Sequence, residues 1–151
     1  GAAEALISAH GLTDAEGRPT PVVHRDVSPA NIIATWDGGV KLVDFGIARA
    51  ILASGHENLT RSGMALGTCT YMSPEQVRGE RDLDQRTDIY SVGSLVFECL
   101  AGRPPFQHKA DTVVLHKVLN EPAPPVQSLR PDTPAALAAA TSCRDHRQPS
   151  R

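Results

Sequence analysis

Three polar side chains lie close together in the sequence and have the chemistry needed to move a phosphoryl group. Asp26 and Asn31 belong to the segment HRDVSPAN at 24–31, and Asp44 opens the tripeptide DFG at 44–46. Phosphate transfer from a nucleotide needs a carboxylate that orients the acceptor hydroxyl and oxygen ligands that hold Mg²⁺ beside the phosphates. Asp26 could supply this orienting carboxylate, and Asn31 and Asp44 could supply the oxygen ligands for Mg²⁺.

The chain between these two motifs is expected to fold back on itself. Short apolar runs at 31–34 and 40–43 flank the segment TWDGG, whose Asp-Gly-Gly is a tight-turn signal. A small β-hairpin would hold Asn31 and Asp44 side by side over one site. Trp36 is expected to pack within this hairpin.

Helices are expected on both sides of the motifs. Residues 2–9 favour a helix that ends before Gly11, and residues 88–100 are apolar on nearly every face, which indicates a helix buried all round. Two shorter helices are expected, one at 111–120 with Asp111 as its cap and one that begins at Thr133-Pro134. Residues 47–70 lack periodicity and predict a long loop.

Composition narrows the class of protein. The formal net charge of -2 and the isoelectric point near 6.3 predict no attraction to nucleic acid or to an anionic membrane. Three widely spaced cysteines predict no metal or disulfide role and favour a reducing, cytoplasmic compartment. The sequence has no apolar run of roughly 18 residues, so no membrane contact is expected from this segment, although an anchor elsewhere in a parent protein is possible.

Five motifs in order resemble those of the eukaryotic-type (Hanks-type) serine/threonine protein kinases. After HRDVSPAN and DFG come GTCTYMSPE at 67–75, RTDIYSVG at 86–93 and GRPPF at 102–106. The resemblance implies an α+β fold, the kinase C-terminal lobe, mainly α-helical with a small β-hairpin at the catalytic cleft. It implies a partial kinase domain over 1–151, with a catalytic loop at 24–31, an activation segment at 44–75 and a buried central helix at about 87–101. The style of the motifs suggests a bacterial member.

The resemblance also assigns roles at the cleft. Asp26 would orient the acceptor hydroxyl and take its proton, and Asn31 and Asp44 would hold Mg²⁺ against the phosphates of ATP. Ser28 would contact the nucleotide phosphates, and Thr68 would lie near Asp26 and favour a Ser or Thr acceptor. The cofactors implied are therefore ATP and Mg²⁺, and the partners are ATP and protein substrates. A simple turn cap is the alternative role for Asn31.

Control of the enzyme is expected through its long loop. Arg25 would bind a phosphate placed on Thr60 or Ser62, which would order the loop. The alternative is that Arg25 only pairs with a carboxylate. Gly46 would give the loop freedom to move.

Glu75 and Asp88 are expected to be structural. Glu75 would pair with a buried arginine, with Arg147 or Arg151 as the candidates, and Asp88 would tie the catalytic loop backbone to the central helix. Five scattered histidines show no ligand spacing and are expected on the surface: His10, His56, His108, His116 and His146.

Two departures from the family pattern open alternatives. Ser28 stands where serine/threonine kinases usually carry Lys, which removes a positive charge from beside the transferring phosphate. A Gly-rich loop and a strand Lys are absent from this sequence, so the expectation is a fragment without the N-terminal lobe, inactive by itself. The alternatives are a pseudokinase or docking module, or an inactive truncated fragment.

Overall fold

The computed structural model describes residues 1–45 and 68–142, with the side chain of Thr68 excepted. Within these ranges the chain forms five α-helices and one two-stranded sheet. In chain order they are α1 (Ala2–His10), β1 (Ile32–Ala34), β2 (Val40–Leu42), α2 (Pro74–Val77), α3 (Gln85–Ala101), α4 (Asp111–Asn120) and α5 (Ala135–Ala140). Short 3₁₀ turns cover Pro29–Asn31, Thr68–Tyr71 and Val126–Ser128.

The expected hairpin is confirmed. Strands β1 and β2 are antiparallel, and Ile33 is the partner of Lys41 in the middle of three residue pairs. Gly38 has a φ of 82°, the left-handed conformation that a tight turn requires. The prediction that Trp36 packs within the hairpin is wrong. Its side chain lies at the tip, beyond the paired residues, and is fully exposed.

Helix α3 forms where the apolar run predicted it, but its burial differs from the prediction. Asp84 caps its first turn by accepting from the Arg86 N–H at 2.9 Å, and Gly102 ends it with a left-handed φ of 72°. The helix is not buried all round, because Ile89 is 51% exposed and Cys99 is exposed. Its buried face is partly polar, with Thr87, Asp88, Ser91, Ser94 and Phe97 among the buried residues. The spacing of apolar residues could not predict this polar buried face, because a polar side chain can be buried wherever it finds a hydrogen-bond partner.

Two predicted caps are wrong. Helix α4 begins at Asp111 itself and Ala110 is the capping position, so Asp111 lies in the first turn, where its charge still suits the helix dipole. Helix α5 begins at Ala135, one residue after Pro134. The Thr133 hydroxyl donates to the Arg130 carbonyl at 2.8 Å, so it is used in the preceding turn and not as a cap.

The main apolar core joins α3 and α4 to the 3₁₀ turn at 68–71. Six buried side chains form it: Cys69, Met72, Tyr90, Phe106, Val114 and Val118. In residues 1–45 and 68–142 the structure contains no helix that is both long enough and apolar enough to cross a membrane.

The core cysteine should be chemically inert in the folded protein. Burial, and then the neighbouring Asp111 carboxylate, raise the pKa of the Cys69 thiol to about 11. Since the thiolate is the reactive form, iodoacetamide near pH 8 should label the exposed Cys99 much faster than Cys69. Mass spectrometry of peptides after timed labelling measures both rates. Labelling of Cys69 at the rate of Cys99 without denaturant would contradict the buried position.

Candidate active site

The backbone of the HRD segment is held by side chains from distant parts of the chain. The N–H groups of His24 and Arg25 both donate to the fully buried Asp88 carboxylate, each at 2.8 Å. Asp88 lies in the first turn of α3. A segment without regular secondary structure has to find partners for its buried peptide groups, and here one carboxylate serves two of them.

His10 completes this arrangement and was missed by sequence reasoning. Its Nε2 lies 2.8 Å from Asp88 Oδ2, and its side chain is only 13% exposed. The expectation that His10 is a surface residue is therefore wrong. The physical reason is that α1 packs against α3, so His10, the last residue of α1, reaches the buried Asp88 carboxylate. A lone histidine carries no spacing signal from which this could have been predicted.

Asp26 is fixed through three hydrogen bonds of its own. Its N–H donates to His24 Nδ1 at 3.2 Å, and the Asn31 Nδ2 group donates to its carbonyl at 2.8 Å and to its carboxylate Oδ2 at 3.1 Å. Since His24 Nδ1 accepts, the ring proton belongs on Nε2, which donates to the Val43 carbonyl at 3.0 Å. The neutral form of His24 therefore satisfies both neighbours at once.

Asp44 is brought to the same place by its two chain neighbours. The Val43 N–H donates to the Asn31 carbonyl at 2.9 Å, so the strand that leads into Asp44 lies beside Asn31. The Phe45 ring packs on the His24 ring with centroids 4.6 Å apart. Asp44 itself is exposed, so its carboxylate faces solvent beside the HRD segment.

Two residues of the site have strained backbones. Arg25 has a φ of 67° and Asp44 a φ of 56°, and they are the only non-glycine residues with positive φ among those the structure describes. The left-handed region costs a non-glycine residue about 1–2 kcal/mol. Such strain persists only where surrounding contacts impose it, and it concentrates at functional sites.

The oxygen atoms of this site suit Mg²⁺. Asn31 commits its amide nitrogen to Asp26, which leaves its amide oxygen as the donor atom, and Asp44 adds a carboxylate. Mg²⁺ in phosphate-transfer enzymes needs only one or two protein carboxylates, because phosphates and waters complete its shell. The described ranges contain no cluster of three or more His, Cys, Asp or Glu arranged to hold a metal.

Ser28 is buried at 5% exposure and precedes the 3₁₀ turn that carries Asn31. The remaining expected site positions fall outside the described residues: Gly46, Thr60, Ser62, Arg147, Arg151 and the side chain of Thr68. The roles expected of them remain predictions.

Glu75 is buried at 4% exposure. Its carboxylate accepts from the Thr87 hydroxyl at 2.8 Å, so a hydroxyl of α3 is a partner that the sequence did not indicate. An additional pairing with Arg147 or Arg151 remains a prediction, because both arginines lie outside the described residues.

Tyr71 connects the 3₁₀ turn at 68–71 to α3. Its hydroxyl donates to the Glu98 carboxylate, and its carbonyl accepts from the Ser91 hydroxyl at 2.8 Å. Burial, and then the Glu98 carboxylate, raise the pKa of Tyr71 well above its usual range, so it remains a hydrogen-bond donor at physiological pH.

Several known proteins resemble this chain along most of its length. Residues 17–145 match the family model described as "Protein kinase domain". The chain is 44% identical over 138 residues, 91% of its length, to "Tyrosine-protein kinase MasK" of Myxococcus xanthus. It is 42% identical over 116 residues (76%) to "Probable serine/threonine-protein kinase PknB" of Corynebacterium glutamicum. It is 40% identical over 129 residues (85%) to "Serine/threonine-protein kinase PknL" of Mycobacterium tuberculosis.

The chain therefore belongs to the protein kinase family, and its similarity to bacterial kinases is extensive. It spans less than a third of each of these relatives, namely 21%, 18% and 31% of their lengths.

Proposed function

We propose that this chain forms the catalytic half, the C-terminal lobe, of a protein serine/threonine kinase that transfers the γ-phosphate of ATP to protein hydroxyls. The observation that carries the proposal is the placement of Asp26, Asn31 and Asp44. Asn31 holds Asp26 directly, and the residues on both sides of Asp44 contact the catalytic loop. Cytoplasmic ATP is the expected phosphate source.

In this proposal each residue has one task. Asp26 orients the substrate hydroxyl and takes its proton, while Asn31 and Asp44 offer oxygen atoms to Mg²⁺. Bound Mg²⁺ would neutralise charge on the phosphates of ATP. Asp88 and Glu75 support the site without contacting substrate, because both are buried and hydrogen-bond to other groups of the protein.

Two further parts of the proposal concern charge beside the phosphates. Ser28 offers a hydroxyl where the family usually offers an ammonium group, so less transition-state charge is neutralised and a modest turnover is expected.

Phosphorylation of Thr60 or Ser62 would supply an anion for Arg25 and raise activity. Phosphopeptide mapping of active protein tests the second point, since finding neither residue modified would contradict it.

A tyrosine acceptor is the second candidate function. The observation in its favour is the 44% identity over 138 residues to a relative named as a tyrosine-protein kinase. The relatives named as serine/threonine kinases are similar at nearly the same level, 42% and 40%. We favour serine and threonine because the segment GTCTYMSPE carries Thr68 where serine/threonine kinases have it.

One assay tests both candidates and the docking alternative. The natural polypeptide encoded by the gene is incubated with γ-labelled ATP, Mg²⁺ and a mixed protein substrate, and labelled residues are identified after acid hydrolysis. Phosphoserine and phosphothreonine are expected, whereas phosphotyrosine alone would favour the second function. Retained partner binding with no label would favour a docking module. The isolated 151-residue chain is the matched sample, and we expect it to incorporate no label.

A further inference from the structure

Gln76 joins the end of the expected activation segment to the catalytic loop. It lies in α2, directly after Glu75, and its Nε2 group donates to the Arg25 carbonyl at 2.7 Å. The two residues are 51 positions apart in the chain. Its other amide atom, Oε1, accepts from the Ser73 N–H at 3.0 Å. An N–H on one side and a carbonyl on the other fix which way the amide is oriented.

The peptide unit that Gln76 contacts is the one that carries Asp26. Its oxygen is the Arg25 carbonyl, bonded to Gln76, and its nitrogen is the Asp26 N–H, bonded to His24 Nδ1. The Arg25 N–H on the preceding peptide is bonded to Asp88. Arg25 has a strained φ of 67°, so these bonds hold the peptide in an orientation that the residue would not adopt by itself.

We propose that Gln76 is a positioning residue for Asp26: its amide fixes the Arg25–Asp26 peptide and thereby couples the SPE turn at 73–75 to the orientation of the catalytic carboxylate. This inference rests on the proposed function. The SPE turn is itself anchored, because the Ser73 hydroxyl lies 3.4 Å from the hydroxyl of Thr87 on α3. A change in the position of the turn is therefore transmitted to the Asp26 peptide through one side chain.

Substitution of glutamic acid for Gln76 tests the donor directly. Gln76→Glu keeps size and acceptor but, when ionised, offers no proton to the Arg25 carbonyl. In the natural polypeptide we expect kcat to fall about 10–100-fold near pH 8, the scale of loss when a catalytic group is slightly misplaced. The KM for ATP should change less than about 3-fold, because Gln76 does not contact Asn31 or Asp44, whose oxygen atoms are proposed to hold Mg²⁺ beside the nucleotide.

Acid should rescue this variant. Once protonated, the carboxyl group introduced by Gln76→Glu can again donate to the Arg25 carbonyl, so the kcat ratio of variant to wild type should rise between about pH 8 and about pH 5.5. The titratable and charged groups around residue 76, namely His24, Arg25, Asp26, Glu75 and Asp88, are present in the wild type and in both Gln76 variants, so a pH dependence that Gln76→Met lacks belongs to the introduced carboxyl group. Gln76→Met, which can neither donate nor accept in the same way, should stay low across this pH range.

The matched control is Gln127, whose Nε2 donates to the Thr133 carbonyl at 3.0 Å, far from the catalytic loop in sequence. Gln127→Glu makes the same chemical change and should leave kcat and its pH profile as in the wild type. An unchanged kcat in Gln76→Glu, an effect on KM alone, a pH-independent ratio, or an equal loss in Gln127→Glu would each overturn the proposal.

A spectroscopic reading separates this inference from the proposed function. In protein labelled with ¹⁵N-aspartate, Gln76→Met should shift the Asp26 amide resonance, and Gln127→Glu should not. If the wild type transfers no phosphate, the proposed kinase function fails while the resonance still reports whether Gln76 holds the Asp26 peptide. An unshifted Asp26 resonance in Gln76→Met overturns the positioning role even in an active enzyme.

Discussion

Replacement of Asp26 by asparagine should reduce kcat of the natural polypeptide about 10²–10⁴-fold, the usual contribution of a general base. The amide has nearly the shape of the carboxylate and can still accept from Asn31, which contacts Asp26 Oδ2 at 3.1 Å. It cannot take a proton from the acceptor hydroxyl. Because the shape is preserved, the KM for ATP and the unfolding temperature should stay close to the wild type, as steady-state kinetics and thermal unfolding will show.

Asp37 provides the control for this charge change. It lies on the exposed hairpin turn, where the Thr35 hydroxyl and then the Gly39 N–H lower the pKa of its carboxyl. Asp37→Asn removes the same charge from the same part of the chain without touching the site, and kcat should be unaffected. Equal turnover in the Asp26→Asn and wild-type proteins would refute the role assigned to Asp26.

Replacement of Asp88 by alanine should produce the largest loss of stability, about 3–5 kcal/mol in the free energy of unfolding. Its buried carboxylate accepts from the N–H groups of His24 and Arg25 and from His10, each at 2.8 Å. Without it, these buried or partly buried donors lose their acceptor, and the Arg25 backbone loses one of the contacts that hold its strained φ. Since protein domains are stable by about 5–15 kcal/mol, much of the total would be lost.

Asp84 is the matched control on the same helix. It caps α3 by accepting from the Arg86 N–H, but its side chain is 48% exposed, so water can replace it. Asp84→Ala should cost about 0.5–2 kcal/mol. Urea unfolding of the natural polypeptide, followed by fluorescence and circular dichroism, measures both variants. A loss in Asp88→Ala no greater than that in Asp84→Ala would contradict the central role of the buried carboxylate.

The hairpin was predictable because a local signal carries it, since Asp-Gly-Gly specifies a turn. The types and order of Asp26, Asn31 and Asp44 indicated phosphate transfer, and those roles remain predictions. What the sequence could not predict depends on contacts between distant residues. The burial of His10 is one example, since it requires α1 to lie against α3.

Gln76 was missed although a local signal existed. The spacing of Ser73 and Gln76 is that of a capping box, which the structure contains. The box explains why the Gln76 amide is held close to the backbone, but it does not specify what the second amide atom reaches. That partner, the Arg25 carbonyl, comes from tertiary packing. The misjudged burial of α3 has the same origin, because its polar face is buried against the hydrogen-bonding groups of other segments.

The anchoring of the HRD segment by Asp88 has a consequence for how the protein is made. The Asp88 carboxylate lies 64 positions after the His24 N–H that it accepts from. At a synthesis rate of about 5–20 residues per second, the anchor leaves the ribosome tunnel roughly 3–13 s after the loop that it holds. During that interval the N–H groups of His24 and Arg25 depend on water for a hydrogen-bond partner. The HRD segment therefore reaches its final backbone shape only after α3 has been synthesised and has docked.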